Sequence, residues 1–306
     1  MASGLAIFLL VKFAVSVEFF SLAVAVLTMA LLCICHLVYR QWRPDPMLAN
    51  LCGALAVILW SAGTAGIISL AGLRYGAPLI DGKLAASDLA LHIDTQYFVH
   101  LVAGSPWAVL LGVAYDSSFV LLFALTIFLT LTRRFEQLWQ LAFVFAVTIF
   151  ACTTISVLFP ARGAFAYFDY SGNVLSGLPA GAGVYHLPKF DYYRYDPSPI
   201  VSFSSLQGVV TFPSFHCCLA LATLFACYGV RWLFAASLVW NGLVIVSTVP
   251  IGGHYAIDIP SGAALWLAAT ATSWALSRAG NVTRVDAKPA VRIEPDDAVV
   301  KEAVGV

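Results

Sequence analysis

The sequence has 306 residues, of which 61% are hydrophobic and only 10% are Asp, Glu, Lys or Arg. Soluble domains average about 25% charged residues, so this composition excludes an ordinary soluble protein and predicts an all-α integral membrane protein. The formal net charge is zero, which gives no support for nucleic acid as a partner or for a polybasic membrane-surface role.

Apolar stretches are long enough to form about seven transmembrane helices, since about 20 apolar residues cross the hydrocarbon core. The predicted spans lie near 14–38, 49–72, 106–132, 138–160, 213–231, 232–250 and 254–278. Residues 2–13 are too short to cross alone, and we expect them to extend the first helix. The sequence therefore predicts a polytopic helical bundle with one transmembrane domain.

Charged residues recur throughout the segment 74–105, which therefore does not have the pattern of a span. Scattered Leu, Ile and Phe residues between the charges favour an amphipathic helix that lies on the membrane surface. Asp116 falls inside the third predicted span. We expect this acid to face protein or a water pocket and to bind a partner there, with packing support as plausible a role as chemistry.

The loop 161–212 is the largest predicted extramembrane segment and is rich in Tyr, Gly and Pro. Loops of this length in compact bundles are usually functional, so we expect a lid or a binding loop. The distribution of arginines between the short loops favours a cytosolic C-terminus. This orientation places the loop on the periplasmic or lumenal face of a bacterial inner membrane or an equivalent membrane.

Two histidines and one aspartate lie at the predicted mouths of apolar helices, where such residues are rare unless they are used. His254 and Asp258 are four residues apart at the start of the seventh span, so we expect them to share one helix face. An aspartate so placed can accept from one imidazole nitrogen and leave the other as a nucleophile or base. His216 begins the fifth span, and span alternation places it at the same membrane face. The sequence predicts that the three side chains converge.

The residues around these histidines suit an anion. Pro213 is favoured in a first helical turn, and Ser214 can add a hydroxyl donor to the free backbone amides of a helix N-terminus. Gly253 allows the backbone to approach a ligand closely. Arg162 ends the fourth span at the same face and can bind phosphate oxygens through two nitrogens. Together these residues predict a phosphoryl-transfer pocket at the boundary of water and lipid.

The strings Phe212-Pro-Ser-Phe-His216 and His254-Tyr-Ala-Ile-Asp258 resemble the second and third signature motifs of the type 2 phosphatidic acid phosphatase superfamily. Within it, the chain most resembles the inositol phosphorylceramide synthase-like branch, the inositolphosphotransferases. The resemblance covers roughly residues 75 to 275. It implies an extra N-terminal transmembrane helix in 1–45 and a six-helix lipid phosphatase-like catalytic domain in 46–280. The polar, mixed-charge composition that follows predicts a disordered cytosolic tail in 281–306.

The resemblance also implies a role for each motif residue. His254 would be the nucleophile that forms a phosphohistidine, and Asp258 would orient it and balance its charge. His216 would protonate the leaving alkoxide and then deprotonate the incoming water or alcohol. Ser214 and nearby amides would bind the phosphate, with no metal and no cofactor.

The sequence departs from the superfamily pattern at two basic positions. The usual first-motif string, which ends in Arg-Pro, does not occur, and the nearest basic residue is Arg162. The third motif usually begins Ser-Arg, but here these positions are Ser247 and Thr248. Lys189 and Arg194 are candidates to supply the missing charge, on their location alone. The missing arginine fits the phosphotransferase branch better than a plain phosphatase.

Three functions remain open on the sequence. The first is a head-group phosphotransferase that uses a phospholipid donor and a lipid alcohol acceptor. The second is a hydrolase that releases phosphate from a lipid monophosphate or a polyprenyl diphosphate, with water as the acceptor. The third is a proton-coupled transporter with a His/Asp relay, which would place charged residues or broken helices in the middle of the membrane.

Overall fold

The structure, a computed structural model, describes residues 1–170 and 172–286. Regular structure in these residues is almost entirely helical, which confirms the all-α prediction. The helices are α1 (Ala2–Lys12), α2 (Phe19–Gln41), α3 (Pro46–Gly72), α4 (Asp81–Ala90), α5 (Thr95–Val102), α6 (Pro106–Asp116), α7 (Ser118–Leu131), α8 (Phe135–Leu158), α9 (Ala164–Phe168), α10 (Gly172–Ser176), α11 (Leu187–Tyr195), α12 (Phe215–Ala226), α13 (Arg231–Ser247) and α14 (Asp258–Asp286). Two short strands, β1 (Ser16–Val17) and β2 (Ile200–Val201), pair in parallel.

Among the described residues, three helices are long and apolar enough to cross a membrane: α2, α3 with its extension to Tyr75, and α8. A fourth crossing results if α5 and α6, which meet at 106°, are counted as one broken span. Helices α7, α12 and α13 are apolar but shorter, with 14, 12 and 17 residues. A crossing takes about 20 residues, so the count of seven crossings stays a prediction.

The predicted span 106–132 is not one helix, because α6 ends at Asp116 and α7 begins at Ser118. The hydroxyl of Ser117 donates to the carbonyl of Ala114 at 2.9 Å, and that of Ser118 donates to the carbonyl of Tyr115 at 2.8 Å. Serine side chains that bind nearby carbonyls compete with the helical hydrogen-bond pattern. The interruption leaves Asp116 exposed at a helix end rather than inside a continuous span.

The expectation that residues 2–13 extend the first spanning helix is wrong. Helix α1 ends at Lys12 and is separated from α2 by strand β1. Ala6 and Leu9 of α1 are buried in a cluster that includes Ile68 of α3. The N-terminal segment is therefore a separate short helix that packs on α3.

The charged segment 74–105 forms two helices, α4 and α5, rather than the single surface helix that its pattern predicts. Asp81 and Asp88 of α4 are only 6% and 2% exposed. A carboxylate is rarely buried without hydrogen-bond donors, so these two acids must be bound by the protein. They reach the candidate site, as described below.

The largest apolar cluster lies between α3, α7, α8 and α12. Its fully buried members include Ile58, Leu122, Leu138, Phe145 and Leu219. Threonines in α7, α8 and α12 donate to carbonyls of the preceding turn of their own helices, so their hydroxyls are satisfied inside this cluster. This packing holds α12, which carries His216, at the centre of the bundle.

The chain divides into two compact units, Met1–Thr270 and Ala271–Val306. The first unit contains all the predicted site residues. The described part of the second unit is the C-terminal portion of α14, which continues to Asp286, beyond the predicted domain boundary at residue 280. The rest of the predicted disordered tail, residues 287–306, lies outside the described residues.

Candidate active site

His254 and Asp258 form a buried pair. Nδ1 of His254 lies 3.0 Å from Oδ2 of Asp258, and their side chains are 3% and 0% exposed. The expected shared helix face is wrong, however, because α14 begins at Asp258 and His254 lies in the turn before it. An ionised carboxylate can only accept hydrogen bonds, so Nδ1 carries the proton and Nε2 carries the lone pair. The pair therefore presents Nε2 as a nucleophile or base.

The N-terminus of α12 packs directly against the first turns of α14. The backbone N–H of Ser214 donates to the carbonyl of Asp258 at 3.2 Å. The Ser214 hydroxyl accepts the N–H of Cys217 at 3.4 Å as the cap of α12. A Cβ at Gly262 would lie 2.3 Å from the carbonyl oxygen of Ser214, so this close approach requires glycine. The junction brings the start of α12 beside the His–Asp pair.

His216, the second residue of α12, stacks on Tyr115 of α6. Their ring centroids are 4.1 Å apart with an interplanar angle of 24°. The hydroxyl of Tyr115 lies 3.0 Å from that of Tyr185, so the stacked ring is also tied to the loop 161–212. His254 lies by the same tyrosine, because a Cβ at Gly252 would be 2.8 Å from the ring of Tyr115 and 3.0 Å from the ring of His254. The structure thus brings both motif histidines and Asp258 into one site.

The segment that carries Arg162 passes beside the turn that carries His254. The N–H of Ala164 donates to the carbonyl of Gly253 at 2.9 Å. A Cβ at Gly163, whose φ is +101°, would lie 2.9 Å from that same carbonyl oxygen, and so glycine is required here too. Nη2 of Arg162 donates to Asp191 at 2.7 Å. The buried Nε of Arg162 has no hydrogen-bond partner in the described part of the chain.

Asp81 of α4 fixes the backbone around Arg162. Its carboxylate oxygens accept the N–H groups of Arg162 and Gly163 at 3.0 and 2.9 Å. The hydroxyl of Tyr255 donates to Asp81 at 3.0 Å. Burial, together with the negative charge of Asp81, raises the pKa of Tyr255, so the phenol stays protonated and donates. Asp81 therefore connects the segment that carries Arg162 to Tyr255, the residue that follows His254.

Asp88, seven residues further along α4, holds the turn that leads into α14. Its two oxygens accept the N–H groups of Ala256 and Ile257 at 2.9 and 2.8 Å. Asp258 accepts the preceding N–H, that of Tyr255, at 3.0 Å. Three successive backbone amides are thus bound by two buried carboxylates. This arrangement fixes the turn in which His254 lies.

A third histidine, His186, lies in the wall of the site. Its Nε2 donates to the carbonyl of Arg162 at 2.7 Å. Burial lowers the pKa of His186, and this outweighs the opposite effect of the hydrogen bond to Arg162. The ring is therefore neutral at pH 7. Its ring lies beside the chain that precedes His254, because a Cβ at Gly163 would lie 3.5 Å from Nε2 of His186 and 2.9 Å from the carbonyl oxygen of Gly253.

The described contacts of Lys189 and Arg194 lie away from the histidines. Nζ of Lys189 donates to the carbonyl of Ser205 at 2.8 Å, and Nη2 of Arg194 donates to the carbonyl of Ala77 at 2.8 Å. Phosphate binding by these two residues stays a prediction. Within the described residues, no group of three or more His, Cys, Asp or Glu side chains is arranged to hold a metal ion.

Several site residues were not identified by the sequence motifs. Asp81 and Asp88 are only weak echoes of the family pattern, although their seven-residue spacing places them on one helix face and could have indicated a shared role. Nothing in the sequence pattern distinguishes His186 from other polar residues of the loop. The position of Tyr115 against His216 depends on the packing of α6 on α12, which no spacing predicts.

Taken together, the fold and the site define a helical membrane protein with a buried polar centre assembled where helices begin. A family model described as the PAP2 superfamily matches residues 82–272, which is more than half of the chain. The chain belongs to this superfamily, the one that its motifs resemble. Searches of curated proteins and of solved structures found no match.

Membership of the PAP2 superfamily sets the general activity. Its members are generally phosphatases or phosphotransferases that act on lipid phosphates in a membrane, and the chain has this type of activity. The match is to the superfamily as a whole, so the inositol phosphorylceramide synthase-like branch is not distinguished by it.

Proposed function

We propose that the protein is a membrane phosphoryl-transfer enzyme that acts on a lipid phosphate ester through a phosphohistidine, as a head-group phosphotransferase of the inositol phosphorylceramide synthase type. The observation that carries this proposal is the buried hydrogen bond between His254 and Asp258, with His216 beside the pair at the start of α12. Such an arrangement combines an oriented nucleophile with a separate acid and base.

In the first step, Nε2 of His254 attacks the phosphorus atom of the donor lipid. The bond between phosphorus and the oxygen of the leaving alcohol breaks, and His216, whose protonated form the bound phosphate anion stabilises, gives its proton to that oxygen. Asp258 holds the Nδ1 proton and stabilises the positive charge that develops on the imidazole of His254. The products are a phosphohistidine and a neutral alcohol.

In the second step, neutral His216 removes the proton of the acceptor hydroxyl as its oxygen attacks the phosphohistidine. The bond between phosphorus and Nε2 of His254 breaks, and the histidine returns to its starting form. A lipid alcohol as acceptor gives a new phospholipid, whereas water gives hydrolysis. The same residues thus serve both reactions, and only the acceptor differs.

Phosphate oxygens would be held by groups that surround His254. Ser214 and the amides at the start of α12 offer donors and the positive end of a helix dipole. Gly253 is less well placed to bind phosphate, because its N–H donates to the carbonyl of Val249 and its carbonyl accepts the N–H of Ala164. Arg162 has a buried Nε without a described partner and shares Nη2 with Asp191, so a phosphate could take the place of the aspartate.

The enclosure of the site favours transfer over hydrolysis. The whole residues His254 and Asp258 are only 2% and 0% exposed. A closed site limits the access of water to a reactive intermediate. The alternative, a lipid phosphate or polyprenyl diphosphate phosphatase, needs the same first step and admits water in the second. A proton-coupled transporter is less well supported, because the two histidines and Asp258 lie at helix starts and in a turn.

The test uses purified protein in detergent with phosphorus-labelled phosphatidylinositol or phosphatidate, with and without ceramide or diacylglycerol. We expect a new labelled lipid that forms only with the acceptor. We also expect a protein-bound label that is stable in alkali and lost in acid, because it lies on a histidine. His254→Ala should abolish both signals.

The matched control is His100→Ala, since His100 is an exposed histidine on α5. This variant should keep both signals at the wild-type level. Labelled phosphate released regardless of the acceptor would identify the phosphatase instead. Turnover that persists in His254→Ala would overturn the assignment of the nucleophile.

A further inference from the structure

A cavity of about 430 Å³ lies beside His216. Ligand pockets typically measure about 300 to 1,000 Å³, so this volume can hold a substantial part of a small molecule. Its walls come from α3, α6, α7, α8, the start of α12 and the segment before it, together with Tyr185. Apolar residues of these walls include Ala62, Ala65, Phe119, Ile149, Cys152 and Val210.

The cavity is apolar in character despite several polar residues in its lining. The hydroxyl of Ser118 donates to the carbonyl of Tyr115, and that of Thr153 donates to the carbonyl of Ile149. These hydroxyls are therefore occupied within their own chain segments. The polar groups at the end of the cavity near His216 are the paired hydroxyls of Tyr115 and Tyr185, with the carboxylate of Asp116 next to Tyr115 in the chain. Gln207 is a further polar residue of the lining.

The position of the cavity relative to the two histidines indicates which part of a substrate it would hold. His216 lines the cavity, whereas His254 does not. In the proposed reaction, His254 holds the phosphoryl group and His216 exchanges a proton with the alcohol oxygen. A group that extends from that oxygen past His216 enters the cavity, whereas the head group remains with the phosphorus atom.

We propose that this cavity binds one hydrocarbon chain of the lipid alcohol whose oxygen His216 protonates or deprotonates. This inference rests on the proposed function. An apolar chain suits the alanines of α3 and the side chains of Phe119 and Ile149, because these side chains keep its apolar surface away from water. The tyrosine hydroxyls lie where the chain meets the polar end of the molecule.

A second apolar groove provides the comparison for the test. It lies between α2 and α3, measures about 740 Å³, and has none of the predicted catalytic residues in its lining. Ala62 lines both the cavity and this groove, whereas Ala25 lines only the groove. Both alanines are half-buried. The same substitution at these two positions therefore separates the two spaces.

The first experiment compares Ala62→Leu with Ala25→Leu. The donor that the wild type turns over is supplied in dioleoyl and dihexanoyl forms, which differ only in chain length. We expect Ala62→Leu to lower the ratio of kcat/KM for the long form over the short form by about tenfold, since a filled apolar pocket discriminates by this order. Ala25→Leu should leave the ratio as in the wild type.

The second experiment reads binding directly in the wild-type protein. A phosphatidate with a diazirine near the end of one acyl chain is irradiated with the protein, and the modified residues are mapped by mass spectrometry. We expect adducts in residues 62–65 of α3 and 149–153 of α8. This measurement remains informative if a variant fails to fold.

The outcomes separate a failure of the cavity assignment from a failure of the proposed function. An unchanged chain-length ratio in Ala62→Leu, or adducts confined to residues 20–29 of α2, would overturn the cavity assignment while phosphoryl transfer continues. A wild-type protein that transfers no label to any acceptor would overturn the proposed function. Adducts in α3 and α8 would in that case still support chain binding in the cavity.

Discussion

His216 is positioned by ring contacts. Its imidazole stacks on Tyr115, with the ring centroids 4.1 Å apart, and stands perpendicular to the ring of Phe119, with the centroids 6.0 Å apart. A histidine that exchanges protons with substrate must keep its orientation without a hydrogen bond that would occupy its nitrogens. Stacking meets this requirement because it restrains the plane of the ring and leaves both nitrogens available. Tyr115 is therefore a positioning residue for the proposed acid and base.

Two substitutions of Tyr115 distinguish the contribution of its ring from that of its hydroxyl. We expect Tyr115→Phe to keep kcat within about threefold of wild type, because it loses only a hydrogen bond worth about 1 kcal/mol. Tyr115→Leu should lower kcat at least about tenfold with less effect on KM, since a misplaced catalytic group slows the chemical step. Steady-state kinetics with the labelled donor provide the measurement. Equal losses in the two variants would contradict a positioning role for the ring.

His186 gives the site a dependence of stability on pH. Burial lowers its pKa below the ordinary value of 6.5. Below that pH the unfolded chain binds a proton that the folded protein does not, so stability is complete above about pH 6.5 and falls as the pH decreases. Arg162, Asp81 and His254 are the charged or titratable neighbours that act on this ring.

We therefore expect the thermal unfolding midpoint in detergent to fall between pH 7.5 and pH 5. In His186→Gln the fall should be smaller by about 2 °C or more, which corresponds to roughly 1 kcal/mol in a chain of this size. Glutamine retains a donor for the carbonyl of Arg162. An identical fall in the two proteins would show that another group is responsible.

Helix α4 is the element that assembles the site, although it contributes no residue to the proposed chemistry. Its two buried carboxylates accept five hydrogen bonds from two distant segments of the chain. Asp81 accepts two backbone N–H groups and the hydroxyl of Tyr255, and Asp88 accepts the N–H groups of Ala256 and Ile257. Each charge-assisted hydrogen bond contributes about 1.5 to 3 kcal/mol. The geometry of the nucleophile therefore depends on a helix more than 160 residues earlier in the chain.

Asp88→Asn tests this dependence. The amide retains one acceptor but turns an NH₂ group towards a backbone N–H, so we expect a loss of about 2 kcal/mol in stability and at least a tenfold lower kcat/KM. The matched control is Asp94→Asn on the neighbouring helix, where the exposed aspartate caps α5. Asparagine caps as well as aspartate, so this variant should behave as wild type in thermal unfolding and activity.

The elements that the sequence predicts well are those with strong local signals. The long apolar runs of α2, α3 and α8 follow directly from composition, and the region of the family resemblance agrees with the matched residues 82–272. The break between Asp116 and Ser118 and the position of α1 depend on local serine hydrogen bonds and on packing against α3. Such features have no periodic signature, and so the sequence missed them.

In the candidate site, too, the sequence predicts local contacts and misses contacts between distant segments. The contact between His254 and Asp258 follows from a four-residue spacing, even though a turn rather than a helix produces it. The roles of Asp81, Asp88 and Tyr115 result from contacts between elements far apart in the chain. Contacts of this kind are set by tertiary packing, which a single sequence does not reveal.

At the scale of the whole molecule, the two ends of α8 are predicted to lie on opposite sides of the membrane. Its 24 residues span about 36 Å, which is more than the hydrocarbon core. Glu136 lies at its start, and Ser204 lies in the loop that follows its end; both are exposed. The distribution of arginines predicts that Ser204 faces the periplasm or lumen and that Glu136 faces the cytosol.

We expect Ser204→Cys, in a background without the seven native cysteines, to react with a membrane-impermeant maleimide applied to intact bacterial cells. Glu136→Cys should react only after the membrane is permeabilised. Labelling of Glu136→Cys alone in intact cells would show that the orientation is the reverse.

The parallel pair of β1 and β2 has a consequence for synthesis and insertion. Ser16 and Val17 emerge early from the ribosome, but their partners, Ile200 and Val201, are made more than 180 residues later. The two strands can pair only if both segments reach the same side of the bilayer. The start of α2 and the late loop must therefore share one compartment, and a first span inserted in the wrong direction would separate the two strands. If the loop lies on the predicted periplasmic or lumenal side, a bulky, rapidly folding domain fused before Ala2 would retain β1 in the cytosol and leave β2 without its partner.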